Sequence, residues 1–130
     1  MLQSPTTRRR FFLLAASASA FTGPFLSAPR AEAHAIIVSS KPAANGKVAH
    51  GNLDILLQFN SRIQIDLSRL DLVDPAGKVS VLAITDGAAD GSLTARATAE
   101  AAGQWKLRWQ VLSTDGHITR GEIPFLVVAP

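Results

Sequence analysis

Residues 34–130 predict an all-β fold, a small Greek-key β sandwich of the immunoglobulin type. No stretch of this region shows a sustained 3.6-residue apolar period, which argues against amphipathic helices. Short runs rich in β-branched and aliphatic residues recur instead, and Gly, Pro, Asn and Asp separate them. The region has the length of one two-layer domain, with room for about seven strands. A small open barrel is the alternative that the same pattern allows.

The first two predicted strands are 36–38 and 53–59. The first is Ile-Ile-Val, and the Pro and the Asn-Gly pair in the following segment, 39–46, both interrupt a strand. The second strand alternates in part, so one of its faces carries four apolar side chains that we expect in the core. These are Leu53, Ile55, Leu57 and Phe59.

A hairpin follows. Residues 63–65 and 67–73 lead into Asp74-Pro75-Ala76-Gly77, whose residue types suit a type I turn. Residues 78–84 then form the other arm of the hairpin.

Three strands complete the predicted domain. Two Asp-Gly pairs bracket an alanine-rich loop, after which 92–98 forms a short strand. In 104–112 Trp105 and Trp109 fall on the same apolar face, so both are expected in the core. The run 122–128 closes the domain. The chain contains no Cys, so this core depends on apolar packing alone.

Residues 1–33 predict a cleavable signal peptide. Three arginines, Arg8–Arg10, precede the apolar run 11–21, which is too short to span a bilayer as a helix. Ala31-Glu32-Ala33 then offers small residues where signal peptidase cleaves, and we predict cleavage after Ala33. A transmembrane anchor is the alternative.

The sequence around the arginines narrows the export route. The segment 7–13, Thr-Arg-Arg-Arg-Phe-Phe-Leu, resembles the twin-arginine export motif. Phe12 stands where Leu is usual, and the lysine that often follows is missing, so an ordinary Sec signal is the alternative. Either route releases a bacterial protein outside the cytoplasmic membrane, and we therefore expect a periplasmic protein.

Removal of the signal changes the charge balance. The whole chain has a formal net charge of +3 and a pI near 10.0, which suggests a nucleic-acid or membrane-surface partner. Four of the 13 basic residues and one of the 10 acidic residues lie in the signal, so nine of each remain. The exported domain is formally neutral, and nothing basic remains to indicate nucleic-acid binding. Since Met1 also leaves, the domain has no sulfur ligand.

Three residues carry the candidate chemistry. A free N-terminal His34 offers its α-amine and its own Nδ1 to one metal ion in a six-membered chelate ring. Asp115 and His117 are two residues apart, so an extended backbone projects both side chains to one side. The alternatives are coincidence for His34 and a plain turn for the Asp-Gly pair, which is a strong hairpin signal.

The donor set favours one metal. An amine nitrogen, two imidazoles and a carboxylate, with no sulfur, are typical of Cu(II) sites, whereas Cu(I) prefers Met or Cys. Ser113 completes the residue types of a hydrolase triad with Asp115 and His117. Their crowding into five residues and the absence of a nucleophile-elbow motif argue against that geometry.

Two segments resemble the CopC-type periplasmic copper-binding proteins. They are 34–46, His-Ala-Ile-Ile-Val-Ser-Ser-Lys-Pro-Ala-Ala-Asn-Gly, and 109–121, Trp-Gln-Val-Leu-Ser-Thr-Asp-Gly-His-Ile-Thr-Arg-Gly, with Phe125 after them. The likeness covers essentially all of 34–130, and its two ends are more specific than its middle. It implies a CopC-like copper-binding domain over 34–130 with a cupredoxin-like β sandwich.

The resemblance also implies a function. Members of that family bind Cu(II) through the N-terminal His, an Asp and a second His, which here are His34, Asp115 and His117. A carrier or buffer in copper homeostasis or resistance is implied, without enzyme activity and with a CopD-type inner-membrane copper transport protein as partner. One Cu(II) per chain is expected, because the Met-rich loop that holds Cu(I) in some family members is absent here, and we expect a monomer. A histidine-brace copper oxidase or monooxygenase is the alternative, and a sandwich that binds no metal is a third.

Besides the missing Met-rich loop, the chain departs from the family pattern at a second point. The family often has a Glu just after the Phe that ends the second strand, but here Asn60 and Ser61 follow Phe59. His50 matches no ligand of the pattern, and we expect it to be a solvated turn residue.

Overall fold

The computed structural model describes residues 35–130 and the isolated residue Gly23. The predicted signal peptide, apart from Gly23, and His34 therefore lie outside the described residues. The described part contains no helix, and so none that is long and apolar enough to cross a membrane. Its strands are β1 (Ile37–Lys41), β2 (Gly46–Ala49), β3 (Gly51–Phe59), β4 (Ile63–Val73), β5 (Val79–Leu82), β6 (Thr85–Asp86), β7 (Ser92–Ala99), β8 (Gly103–Ser113) and β9 (Ile118–Val128).

The strands form two sheets. One has the order β1-β3-β7-β6 and the other the order β2-β9-β8-β4-β5. All pairs are antiparallel except β2 with β9, which run parallel. The prediction of an all-β sandwich is confirmed.

The described part has two strands beyond the seven that the sequence predicts. These are β2 and β6, of four and two residues, which are too short for an apolar alternation in the sequence to identify them. The Asn45-Gly46 pair does interrupt the chain after β1, and β2 begins at its glycine. Asn45 adopts a φ of 60°, and its N–H donates to Pro124 O at 2.7 Å, which brings β2 alongside β9.

The inward-facing side chains of both sheets form one apolar core. The predicted inner face of β3 is buried, and β8 contributes Trp105, Leu107 and Val111 from the opposite sheet. Phe125 of β9 is fully buried between them. The core is continuous and contains no disulfide, as expected for a chain without Cys.

The predicted hairpin between β4 and β5 is confirmed. Gly77 N–H donates to Asp74 O at 3.0 Å, and Asp74 Oδ1 accepts from the N–H groups of Ala76 and Lys78 at 2.9 and 2.8 Å. Gly77 has a φ of 88°, a conformation that a residue without Cβ adopts most easily. The carboxylate of Asp74 therefore holds the turn closed.

Three segments meet at one end of the sandwich. Asn60 N–H donates to Ile36 O at 3.0 Å, and Thr114 N–H donates to Arg62 O at 3.1 Å. These bonds join the start of the described chain, the β3–β4 loop and the β8–β9 loop. We call residues 35–36, 60–62 and 114–117 the site end.

Candidate metal centre

The β8–β9 loop is a tight turn. Ser113 N–H donates to His117 O and Gly116 N–H donates to Ser113 O, both at 2.9 Å. Gly116 has a φ of 90°, which explains why glycine follows Asp115. The expectation of an extended backbone between Asp115 and His117 is therefore wrong, because the segment is the turn that the Asp-Gly pair also indicated. The turn itself brings the two side chains together.

Asp115 Oδ1 is the centre of this loop's polar contacts. It accepts hydrogen bonds from Ser113 Oγ and, at 3.1 Å, from His117 N–H. His117 Nδ1 lies 3.3 Å from the same oxygen. The Asp115 and His117 side chains are 37% and 45% exposed, so the pair is open to solvent on one side.

Ser113 supports this pair and is not placed as a nucleophile. It is 1% exposed, and its Oγ contacts Asp115 Oδ1 and, at 3.1 Å, His117 O. A triad needs a histidine nitrogen to take the proton of the serine hydroxyl, but the oxygens within hydrogen-bond distance of this hydroxyl belong to a carboxylate and a backbone carbonyl. These three residues therefore do not have the geometry of a hydrolase triad, in agreement with the sequence argument.

These hydrogen bonds also set the charge of the loop. The hydrogen bond from Ser113 Oγ, followed by the one from His117 N–H, lowers the pKa of Asp115 below its ordinary value. The carboxyl group is therefore ionised at neutral pH, the form that binds a cation.

The start of the described chain is fixed beside this loop. Ala35 is 2% exposed, and its carbonyl accepts from Thr119 Oγ1 at 3.0 Å. Ile36 N–H donates to Asn60 Oδ1 at 2.8 Å, and Ile36 O accepts from Asn60 N–H at 3.0 Å. Thr119 is two residues after His117 in the chain, so Ala35 is bonded to the strand that leaves the loop.

Of the three predicted ligands, the structure brings together Asp115 and His117, while His34 lies outside the described residues. Between residues 35 and 130, no group of three or more His, Cys, Asp or Glu side chains could hold a metal ion. His50 lies just before β3, at the other end of that strand from Asn60, and is exposed. It is a solvent-exposed turn residue, as expected.

Two residues of this region carry roles that the sequence did not reveal. The sequence singled out Asn60 only because the family often has a Glu near it. In the structure its Oδ1 accepts from Ile36 N–H, and its backbone N–H donates to Ile36 O. Thr119 has the same spacing from His117 as His117 has from Asp115, a signal that could have marked it. Ser61 Oγ is buried and has no hydrogen-bond partner among the described residues.

An aromatic pair underlies the site end. The rings of Phe59, the last residue of β3, and Trp109 meet edge to face with centroids 5.1 Å apart. Trp109 is half-buried, and its ring lies so close to Gly121 that a Cβ there would stand 2.4 Å from Trp109 Cζ2. Trp105, 7% exposed, belongs to the core as predicted.

Comparisons with known proteins agree with this architecture. A family model described as the CopC domain matches residues 37–128. The crystal structure of CopC from Methylosinus trichosporium OB3b is similar, with a TM-score of 0.68 and 30% identity over 74% of this chain and 95% of that chain. The crystal structure of PcoC, a methionine-rich copper resistance protein from Escherichia coli, has a TM-score of 0.59 and 25% identity over 74% of this chain and 100% of that one. Among curated proteins, no sequence matches. The resemblance that segments 34–46 and 109–121 carry is thereby confirmed.

Proposed function

The chain belongs to the CopC family, and from this premise we propose that it is a periplasmic Cu(II)-binding protein. The observation that carries the proposal is the β8–β9 loop, which holds an ionised carboxylate against an imidazole beside the start of the described chain. Exported through its predicted signal and cleaved after Ala33, the protein would begin at His34.

His34 supplies the remaining ligands in this proposal. Consecutive Cα atoms are about 3.8 Å apart, so an N-terminal His34 would begin within one residue of the fixed Ala35. Its amine and imidazole, the imidazole of His117 and the carboxylate of Asp115 then form a histidine brace with three nitrogens. Because Oδ1 of Asp115 takes the loop's polar contacts, we assign its Oδ2 to the copper ion.

The donor types support Cu(II) over Cu(I). All four are nitrogen or oxygen, and the chain has no Cys and only one Met, Met1 in the predicted signal. The E. coli relative PcoC is described as methionine-rich, so the two chains differ in the ligands that a soft ion prefers. We therefore propose one Cu(II) site per chain and no second site for Cu(I).

The role that fits this site is to carry or buffer copper in homeostasis or resistance, without catalysis. The site end consists of short loops, and the hydroxyl of Ser113 contacts the Asp115 carboxylate, where a triad would need a histidine nitrogen. We propose a monomer that exchanges copper with an inner-membrane transport protein of the CopD type.

Copper titration tests the proposal. Mature protein with His34 as its free first residue should bind one Cu(II) tightly, with an EPR spectrum of several equatorial nitrogens. Quenching of the Trp109 fluorescence by bound Cu(II) gives a second readout, since its ring packs on Phe59, the residue before Asn60 of the site end.

The matched control carries one alanine before His34. It retains every side chain but converts the amine to an amide, so it should bind far more weakly. Equal affinity in the two proteins would rule out the brace, and failure of both to bind copper would rule out the function.

A further inference from the structure

The first described residues are held by side chains from two different segments. Thr119 Oγ1, on β9, donates to the carbonyl of Ala35, and Asn60, which follows β3, both donates to and accepts from the backbone of Ile36. The two strands belong to opposite sheets. The chain start is therefore fixed to both layers of the sandwich at once.

We propose that Asn60 and Thr119 are positioning residues that form a clamp and preset the N-terminal histidine for copper. The inference rests on the proposed function and adds to it how the metal affinity arises. Neither residue is proposed to touch the metal. Each holds a backbone group that lies within two residues of the proposed amine ligand.

The chemistry of an amine ligand explains why such a clamp matters. A free chain terminus is the part of a domain that is least ordered unless it is tied down. A ligand on it must be immobilised when the metal binds, and the lost conformational freedom weakens binding. Hydrogen bonds that order the backbone beforehand remove that loss, which is the general benefit of preorganisation.

The local contacts support ordering of this segment before metal arrives. The methyl group of Ala35 is packed in the core, at 2% exposure, which fixes the segment from the apolar side. The hydrogen bonds of Asn60 and Thr119 fix its polar groups. Asn60 thus supplies order at the point where the family often has a carboxylate near copper.

The competing explanation is that Asn60 and Thr119 only stabilise the fold. Combining a substitution with the alanine extension before His34 separates this explanation from the clamp. Thr119→Val removes the hydroxyl and keeps the β-branched shape, while Thr119→Ser keeps the hydroxyl. Each is made in the mature protein with free His34 and in the protein with one alanine before His34. Copper affinity is measured by competition with a chelator of known affinity, and folding by thermal unfolding of the metal-free proteins.

We expect Thr119→Val to lower the Cu(II) affinity about 10-fold when His34 is free, in the range of outer-shell partners of metal ligands. Thr119→Ser should restore most of the affinity. In the alanine-extended protein, Thr119→Val should have no effect, because no amine ligand remains to be positioned. Asn60→Ala should behave like Thr119→Val.

These measurements distinguish failure of the brace from failure of the clamp. If the free-His34 and alanine-extended proteins bind copper equally, the proposed brace fails before the clamp is tested further. If the brace is present but Thr119→Val and Asn60→Ala bind as tightly as the unmodified protein, the clamp is wrong. Equal loss from Thr119→Val in both backgrounds would assign the threonine a structural role only.

Discussion

The two ends of β3 each carry a histidine in a neighbouring turn, and the two histidines have different surroundings. At the start of the strand, His50 is exposed, and within residues 35–130 its side chain has no hydrogen bond or ion pair. At the far end, roughly 30 Å away for a nine-residue strand, lies the loop of His117. There the carboxylate of Asp115 lies 3.3 Å from the imidazole, buried Ser113 contacts that carboxylate, and Ala35 is hydrogen-bonded to the strand that leaves the loop.

This difference teaches what makes a turn histidine a candidate ligand. Both residues lie between two strands and next to a glycine, and neither is buried. His117 differs because Ser113 and a tight turn hold Asp115 against it, and because the loop adjoins the segment that would carry an amine. The arrangement of neighbours, more than the residue type, distinguishes the two ends.

The strongest test of this comparison removes each histidine in turn. His117→Ala should lower the Cu(II) affinity more than about 100-fold, because loss of a direct ligand exceeds the usual effect of losing an outer-shell partner. His50→Ala is the matched control and should leave the affinity unchanged. Chelator competition on the mature proteins gives both values, and an equal loss in the two variants would remove the distinction between the ends.

A smaller effect is expected when the loop keeps its ligands but loses their support. Ser113→Ala removes the hydroxyl that holds Asp115 and should lower the Cu(II) affinity about 10-fold to 100-fold. Thr114→Ala is the control, since Thr114 is exposed and its bond to Arg62 is made by the backbone.

Ser113→Ala should also make the free energy of unfolding depend less on pH in acid. The lowered pKa of Asp115 contributes stability above the ordinary carboxyl pKa of about 3.9, and this contribution is lost as the pH falls through the lowered value. In Ser113→Ala the pKa of Asp115 should rise towards its ordinary value, as measured by NMR titration of the metal-free protein. An unchanged pKa would show that Ser113 does not control the carboxylate.

The smallest effect concerns the packing below the site end. Gly121→Ala places a Cβ 2.4 Å from the Trp109 ring and should lower the free energy of unfolding by about 1–3 kcal/mol. In a Trp109→Phe background the smaller ring leaves room, so the same change should cost less. Chemical denaturation measures both, and equal costs in the two backgrounds would show that the ring is not the obstacle.

Much of the fold follows from local patterns. Alternation in 53–59 and 104–112 identified the inner faces of β3 and β8, and turn chemistry at 74–77 located the β4–β5 hairpin. The patterns missed β2 because its four residues owe their strand conformation to the partner β9. The two-residue β6 likewise depends on β7. Pairing energy across a sheet leaves no periodic signal in segments this short.

The candidate site likewise combines features that are local in the sequence with features that depend on packing. The residues that bring Asp115 and His117 together all lie within 113–117, so their spacing in the sequence was enough to pair them, although the backbone between them is a turn and not the extended chain that the spacing argument assumed. The sequence also determined that residues 34–130 contain neither Cys nor Met. The assignment of His34 stays a prediction that depends on cleavage after Ala33.

Only the tertiary structure decided what stands around that pair. Asn60 and Thr119 are 24 and 84 residues away from the groups that they hold, and no local pattern links positions so far apart. Their contacts form because the two sheets pack with the end of β3 and the start of β9 at the same end of the sandwich. A hydrogen bond depends on the final distance between two atoms, so the sequence could supply its donors and acceptors while the packing chose the partners.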